Sequence, residues 1–116
     1  MDTDCVSLVQ AYYRSIDEDD YERLAEILAE TFVHRRPDRT VEGRETFVAF
    51  MQSGRPNRDT EHTIEAIYTA DGGDRIAVEG RLFHGDGSVW FGFVDSFRIK
   101  DGSIQGIRTY TDTGSG

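Results

Sequence analysis

One carboxylic acid stands out because of the residues that surround it in the sequence. Asp95 lies in the run VWFGFVDSFRIK, residues 89–100, which has the composition of a long buried β-strand. Strand side chains alternate between two faces, so Asp95 shares its predicted face with five apolar residues: Val89, Phe91, Phe93, Phe97 and Ile99. An ionised carboxylate is costly in such surroundings unless it is paired, hydrogen-bonded or held neutral with a raised pKa. A neutral acid in an apolar pocket can donate a hydrogen bond or a proton.

A purely structural role for Asp95 is the alternative. Arg81 and Arg108 lie in neighbouring predicted strands, and either could pair with the carboxylate and hold it ionised. The opposite face of the same strand carries Trp90 and Val94, which suits contact with a helix, a partner subunit or water.

Two histidines are predicted to lie near each other at one end of the sheet. The segment 61–69 alternates so that His62 and Tyr68 share the inner face, and 75–84 places His84 on that face too. Neighbouring histidines raise the question of a metal site, but the sequence has no close-spaced ligand motif. We therefore expect no metal and no cofactor, and assign His62 and His84 to hydrogen bonding at the rim of a pocket or to simple exposure.

The arginine pair Arg35 and Arg36 could bind an anionic group at the mouth of such a pocket, because guanidinium groups suit carboxylates and phosphates. The alternative is a surface pair that offsets the acidic surroundings. Cys5 is the single cysteine, which excludes an internal disulfide and suits a helix-face packing role.

Composition limits the classes of partner. Acidic residues outnumber basic ones by 22 to 13, and the net charge is −9, so nucleic acids and anionic membranes are disfavoured as partners. Lys100 is the one lysine, and such an acidic, lysine-poor composition resembles the surfaces of proteins from salt-loving organisms. The sequence shows neither a secretory signal nor a stretch of about 20 apolar residues. We expect a cytoplasmic protein.

The order of predicted elements is helices first and strands afterwards. Helical periodicity covers 4–17, where Tyr12 lies on the inner stripe, then 21 to about 30, and 43–54. The predicted strands are a small edge hairpin of 31–36 with 40–42, followed by 61–69, 75–84, 89–100 and 104–112. The segments 55–59 and 113–116 are predicted to be a loop and a tail. This is an α+β pattern in one domain, 1–116, with an antiparallel sheet covered by helices.

Four motifs resemble those of the nuclear transport factor 2-like superfamily, in its SnoaL-like and ketosteroid isomerase-like branch. They are LVQAYY in the first helix, VEGRETFVAF, FVDSFRIKDGSI and the closing IRTYTD. The resemblance spans almost the whole chain. It implies a cone-shaped, curved antiparallel sheet closed by three N-terminal helices, the nuclear transport factor 2-like or cystatin-like roll.

The resemblance also implies candidate catalytic residues. In members similar to ketosteroid isomerase, a tyrosine of the first helix and a protonated aspartic acid of a late strand form an oxyanion hole. Tyr12 and Asp95 match those two positions. The aspartate base of that enzyme aligns with Arg36, which cannot act as a base near neutral pH, so steroid isomerisation is disfavoured. Asp38 or His34 could take over the role of base if the loop is shifted.

Two functions remain open from the sequence. The first is a pocket for a small apolar or carbonyl-containing ligand, lined by Tyr12, Phe47, Phe91, Phe93 and Phe97. If the protein is an enzyme, this site would act as a cofactor-independent isomerase, cyclase or dehydratase by proton transfer. The second is a non-catalytic binding or dimerisation module, in which the pocket is only core and the outer sheet face meets a twin subunit to form a homodimer.

Overall fold

Three helices precede most of a six-stranded sheet in the computed structural model, which describes residues 5–54, 60–70, 72 and 74–112. The helices are α1 (Cys5–Asp17), α2 (Tyr21–Ile27) and α3 (Arg44–Ala49), the last of which continues as a π-helical turn, Phe50–Gly54. The strands are β1 (Leu28–Arg35), β2 (Thr40–Glu42), β3 (Thr60–Thr69), β4 (Arg75–His84), β5 (Val89–Lys100) and β6 (Ser103–Thr111). The predicted loop 55–59 and tail 113–116 lie outside the described residues, as do the predicted start of α1 at position 4 and two positions of the turn 71–74.

The sheet has the strand order β2-β1-β6-β5-β4-β3 and is not closed, so β2 and β3 form its edges. Four of its pairings are antiparallel, as predicted, but β1 and β6 run parallel, with His34 opposite Ile107. This parallel pairing brings the first strand beside the last. The α+β prediction is confirmed: helices cover one face of a curved sheet.

The alternation predicted for β5 holds along its buried half. Phe93, Asp95, Phe97 and Ile99 are all buried, whereas Val89 is exposed because the strand there extends past the core. Gly80 of β4 lies opposite Phe93, and the Phe93 ring occupies the space that a side chain at Gly80 would need. β5 is therefore an interior strand with one face covered.

The second helix ends earlier than predicted. Asp20 caps its N-terminus by accepting a hydrogen bond from the Arg23 N–H, but at Leu28 the backbone becomes extended. Leu28 then pairs with Ile104 of β6. Pairing with β6 outweighs the helical periodicity that runs on to Glu30.

A bulge in β3 changes which side chains face inward. The register with β4 shifts between Ile64 and Ala66, and beyond it Ile67 lies opposite the buried Val78. The extra residue reverses the alternation, so the prediction that Tyr68 shares the inner face with His62 is wrong, and Tyr68 is exposed.

Among the described residues, no helix combines the length and apolar character needed to cross a membrane.

Candidate functional site

Asp95 lies at the centre of a buried polar cluster. Its side chain is 6% exposed, and in the sheet it lies between Val78 of β4 and Thr109 of β6. The Tyr13 hydroxyl donates a hydrogen bond to Oδ2 at 2.6 Å, and the Thr109 hydroxyl donates to Oδ1 at 2.6 Å. Both partners are hydroxyl groups, whereas Arg81 pairs with Glu65 at 2.9 Å. The carboxyl group is thus bound by neutral donors.

Burial sets the protonation of this pair. Loss of hydration raises the pKa of Asp95, while the hydrogen bonds from Thr109 and Tyr13 and the charges of His62 and Arg36 act against the rise without cancelling it. Burial and the neighbouring Asp95 carboxylate raise the pKa of Tyr13 well above its ordinary value. Tyr13 therefore keeps its proton, and Asp95 takes one up more readily than an exposed aspartate.

The tyrosine that reaches Asp95 is Tyr13, the neighbour of the predicted Tyr12. Both lie on the buried side of α1, which covers more than half of the helix surface. The Tyr12 ring packs against Phe47 and Phe97, with centroids 6.3 and 5.4 Å apart. Tyr12 thus joins the aromatic core, and Tyr13 contacts the acid.

His34 extends the cluster on the other side of Thr109. It lies in β1 and is 7% exposed, with Nε2 2.8 Å from the Thr109 hydroxyl oxygen. Its other nitrogen, Nδ1, is buried and has no hydrogen-bond partner among the described residues. Burial is the main cause that lowers the pKa of His34 to about 3. The charge of Arg36 contributes to this lowering of the pKa, and the charge of Asp38 acts in the opposite direction. The imidazole is therefore neutral in the folded protein.

His62 borders the same cluster from β3. Its Nδ1 lies 2.7 Å from Oδ1 of Asp17, and its backbone N–H donates to Oδ2 of Asp17 at 3.1 Å. The imidazole ring lies 5.1 Å from the Tyr13 ring and 5.7 Å from the Phe93 ring, centroid to centroid. Asp17, at the end of α1, thus fixes His62 as one wall beside Tyr13.

The remaining predicted ligand-binding aromatics differ in position. Phe93 and Phe97 are buried and their rings lie 5.8 Å from the Tyr13 ring. Phe47 contacts the His34 ring at 5.2 Å, while Phe91 is half-buried beside Trp90. The first three therefore surround the polar cluster, and Phe91 lies nearer the end of the sheet.

Three predicted polar residues lie away from Asp95. His84 stacks on Trp90 at 4.6 Å and lines a surface cavity of about 500 Å³ together with Asp17 and Phe83. Asp38 is 57% exposed and pairs with Arg36 and Arg39, each at 3.5 Å. Arg36 also lies over the Phe50 ring at 6.0 Å. Among the described contacts none of these residues bonds to Asp95, although the charge of Arg36 acts on both Asp95 and His34.

The described segments contain no group of three histidine, cysteine, aspartate or glutamate side chains arranged to hold a metal ion. The groups nearest the centre of the cluster are the Tyr13 and Thr109 hydroxyls, both bonded to Asp95, and the His34 imidazole, which is bonded to Thr109. What this arrangement can do chemically is move protons between oxygen and nitrogen atoms.

Sequence reasoning did not identify Thr109 or the link that it makes to His34. A signal for Thr109 was present, because it follows the buried Ile107 by two residues and thus shares its face. Its position between His34 and Asp95 depends on β6 lying between β1 and β5. No local pattern predicts that order.

Comparison with solved structures finds the same fold in several bacterial proteins. A nuclear transport factor 2-like protein of unknown function from Cytophaga hutchinsonii has a TM-score of 0.82 at 15% identity, covering 99% of this chain and 95% of its own. A protein from Jannaschia sp. assigned as a SnoaL-like polyketide cyclase has a TM-score of 0.82 at 22% identity, covering 98% and 89%. A protein from Kribbella flavida assigned as a ketosteroid isomerase has a TM-score of 0.81 at 22% identity, covering 93% and 77%.

At these identities the structures establish the fold alone. A search of curated proteins finds no match. The profile of the SnoaL-like domain, however, matches residues 9–107, which include most of α1, His34, Asp95 and part of β6. This chain therefore belongs to the SnoaL-like domain family.

Proposed function

We propose that this protein binds a small, largely apolar molecule that carries a carbonyl group, and that it catalyses proton transfer next to that carbonyl without a cofactor. The reaction class would be an isomerisation, cyclisation or dehydration. The observation that carries the proposal is the buried 2.6 Å hydrogen bond between the Tyr13 hydroxyl and Asp95. The assignment of the Jannaschia relative as a polyketide cyclase and of the Kribbella relative as a ketosteroid isomerase supports it.

The chemistry follows from the charge of Asp95. When Asp95 is ionised, its Oδ2 holds the Tyr13 proton. When Asp95 is neutral, that acceptor is weaker, and the Tyr13 hydroxyl can donate instead to an oxygen that becomes negative as a proton leaves the neighbouring carbon. The raised pKa of Asp95 makes the neutral form accessible. Tyr13 would thus be the oxyanion donor and Asp95 the group that controls it.

The surroundings of Tyr13 suit an apolar ligand. The rings of Phe93, Phe97 and His62 lie within 5.8 Å of the Tyr13 ring, centroid to centroid. Aromatic walls exclude water and strengthen each hydrogen bond to a developing charge. We therefore expect cyclic ketones to bind better than open-chain polar ones.

Hydrogen–deuterium exchange tests the proposal with a simple cyclic ketone in place of the natural substrate. We expect the protein to accelerate exchange at the carbons next to the carbonyl of 2-tetralone in D₂O, followed by proton NMR. Removing one oxyanion donor typically slows a reaction by about 10²–10³-fold, and we expect that loss in Tyr13→Phe. Tyr68→Phe, which removes an exposed hydroxyl bonded to Glu79, is the matched control. Equal rates in Tyr13→Phe and wild type would contradict the proposal.

A second proposal concerns the outer face of the sheet, where a second copy of the chain would bind. Large apolar side chains are exposed there: Tyr68, Trp90, Val94 and Tyr110. Val94 and Tyr110 are cross-strand partners, so they form one continuous patch. We expect a homodimer in sedimentation equilibrium and a monomer for Val94→Asp. A wild-type chain that stays monomeric at high concentration would refute this.

A further inference from the structure

An uninterrupted line of hydrogen bonds leads from Asp95 to the buried imidazole of His34. Oδ1 of Asp95 lies 2.6 Å from the Thr109 hydroxyl oxygen, which lies 2.8 Å from Nε2 of His34. The line ends at His34 Nδ1, which has no partner within the described part of the chain. Buried polar atoms are almost always satisfied, so an unpaired one at the end of such a line needs an explanation.

The donors and acceptors along this line can be assigned by counting protons. A threonine hydroxyl has one proton, and an ionised carboxylate can only accept, so Thr109 donates to Asp95. His34 must then donate from Nε2 to the Thr109 oxygen, which leaves a lone pair on Nδ1. If Asp95 instead carries a proton on Oδ1, both hydrogen bonds reverse direction: Asp95 donates to Thr109, and Thr109 donates to Nε2. The imidazole proton is then on Nδ1. The tautomer of His34 thus reports the charge of Asp95.

We propose that His34 Nδ1 is the base that removes the proton from the bound molecule, and that Thr109 passes a proton on to Asp95. This inference rests on the proposed function, for which it supplies the missing base. The carbon–hydrogen bond of the ligand breaks and an Nδ1–H bond forms. The Nε2 proton moves to the Thr109 oxygen, and the Thr109 proton moves to Oδ1 of Asp95.

The balance of charge in this step agrees with the surroundings of each group. Negative charge moves from the Asp95 carboxylate to the ligand oxygen. The neutral Asp95 then holds the Tyr13 hydroxyl less strongly, so Tyr13 can donate its hydrogen bond to that oxygen. The imidazole is neutral before and after, so its burial among apolar rings, which opposes an imidazolium ion, does not oppose the step. Return of the proton by the same route, to the same or another carbon, restores the resting state.

The charged groups around the line are few among the described residues. Arg36 and Asp38, from the connection between β1 and β2, act on His34 with opposite signs. On the far side of the carboxyl group, Tyr13 from α1 and His62 from β3 face Asp95. Both Arg36 and His62 act on Asp95 in the direction that favours its ionised form. These groups favour an ionised Asp95 at rest, which is the form that leaves the lone pair on Nδ1.

Nitrogen-15 NMR of the His34 ring tests the proton path without any ligand. In the wild-type protein we expect the proton on Nε2 at neutral pH and a change to Nδ1–H as Asp95 takes up its proton. Asp95 is followed independently by its carboxyl carbon-13 shift. Thr109→Ser keeps the hydroxyl and should keep the coupling, whereas Thr109→Val should abolish it. A proton on Nδ1 at neutral pH, or an Asp95 titration that leaves the His34 tautomer unchanged, would overturn the inference.

Exchange kinetics then separate the base from the oxyanion donor. General base catalysis typically contributes about 10²–10⁴-fold, and we expect a loss of that order in 2-tetralone exchange for His34→Gln. Binding of 2-naphthol, whose hydroxyl imitates the enolate oxygen, should persist in His34→Gln and weaken in Tyr13→Phe. Full exchange activity in His34→Gln would refute the base while leaving the proposed function intact. Absence of exchange in the wild type would refute the proposed function, and the NMR measurement would still decide the proton path.

Discussion

The buried His34 predicts a specific dependence of stability on pH. Its pKa is about 3 in the folded protein and 6.5 in a freely exposed histidine. Below pH 6.5 the unfolded chain therefore binds a proton at His34 that the folded chain does not bind, and stability falls with falling pH. The contribution of the neutral His34 to the free energy of unfolding is complete above pH 6.5 and is lost as the pH falls towards 3. The variant that removes this effect is His34→Gln, whose amide can still donate to Thr109.

The magnitude follows from the width of the pH interval. Each pH unit over which only the unfolded chain binds the proton lowers the free energy of unfolding by about 1.4 kcal/mol. The interval from 6.5 to about 3 then corresponds to ~5 kcal/mol, of which ~3 kcal/mol is lost by pH 4. Domains have total stabilities of about 5–15 kcal/mol, so the effect is readily measured. The raised pKa of Asp95 acts in the opposite direction, since the folded chain binds that proton at higher pH than the unfolded chain.

Urea denaturation at pH 7.5, 6, 5 and 4 measures both effects. We expect the stability difference between wild type and His34→Gln to shrink as the pH falls. Asp95→Asn, which removes the opposing titration, should show a steeper loss than wild type. His84→Gln removes an imidazole at the end of β4, where it stacks on Trp90, and is the matched control. A difference between wild type and His34→Gln that stays constant from pH 7.5 to 4 would refute the neutral, buried state of His34.

Two further predictions concern the frame that holds the site. Gly80→Ala should lower the free energy of unfolding by about 1–3 kcal/mol, measured by urea denaturation. The new methyl group would collide with the Thr63 carbonyl oxygen and lie 2.9 Å from the Phe93 ring. An unchanged urea midpoint would show that the strand shifts freely to make room for the methyl group. Asp20→Ala should cost about 0.5–2 kcal/mol through loss of the cap on the Arg23 N–H, and Asp20→Asn should recover most of it. If Asp20→Asn is as unstable as Asp20→Ala, the cap is not the cause.

The position of Asp95 could be predicted because one strong periodicity determined it. In an interior strand covered on one face, alternation with a period of two leaves a single choice of side. The same rule failed for Tyr68, where one extra residue near Glu65 reversed the alternation. A bulge has no signature in the apolar pattern until the partner strand is known.

The choice between Tyr12 and Tyr13 could not be made from the sequence. Adjacent helix residues differ by about 100° around the axis, and the buried side of α1 is broad enough to include both. Packing against Phe47 and Phe97 sets the rotation of the helix, and that rotation directs Tyr13 to the acid. The role of Thr109 was hidden for a related reason, because it depends on which strands are neighbours.

The parallel pairing of β1 with β6 has a consequence for the order of events during folding. Tyr13 and Asp95 are 82 residues apart in the chain, and His34 and Thr109 are 75 apart. Contacts between residues so far apart in the chain form late, because the long loops between them must close first. Until β6 joins the sheet, Asp95 and His34 lack the Thr109 hydroxyl that lies between them. The line of hydrogen bonds from Asp95 to His34 therefore forms only when β6 has taken its place between β1 and β5, at a late stage of tertiary folding.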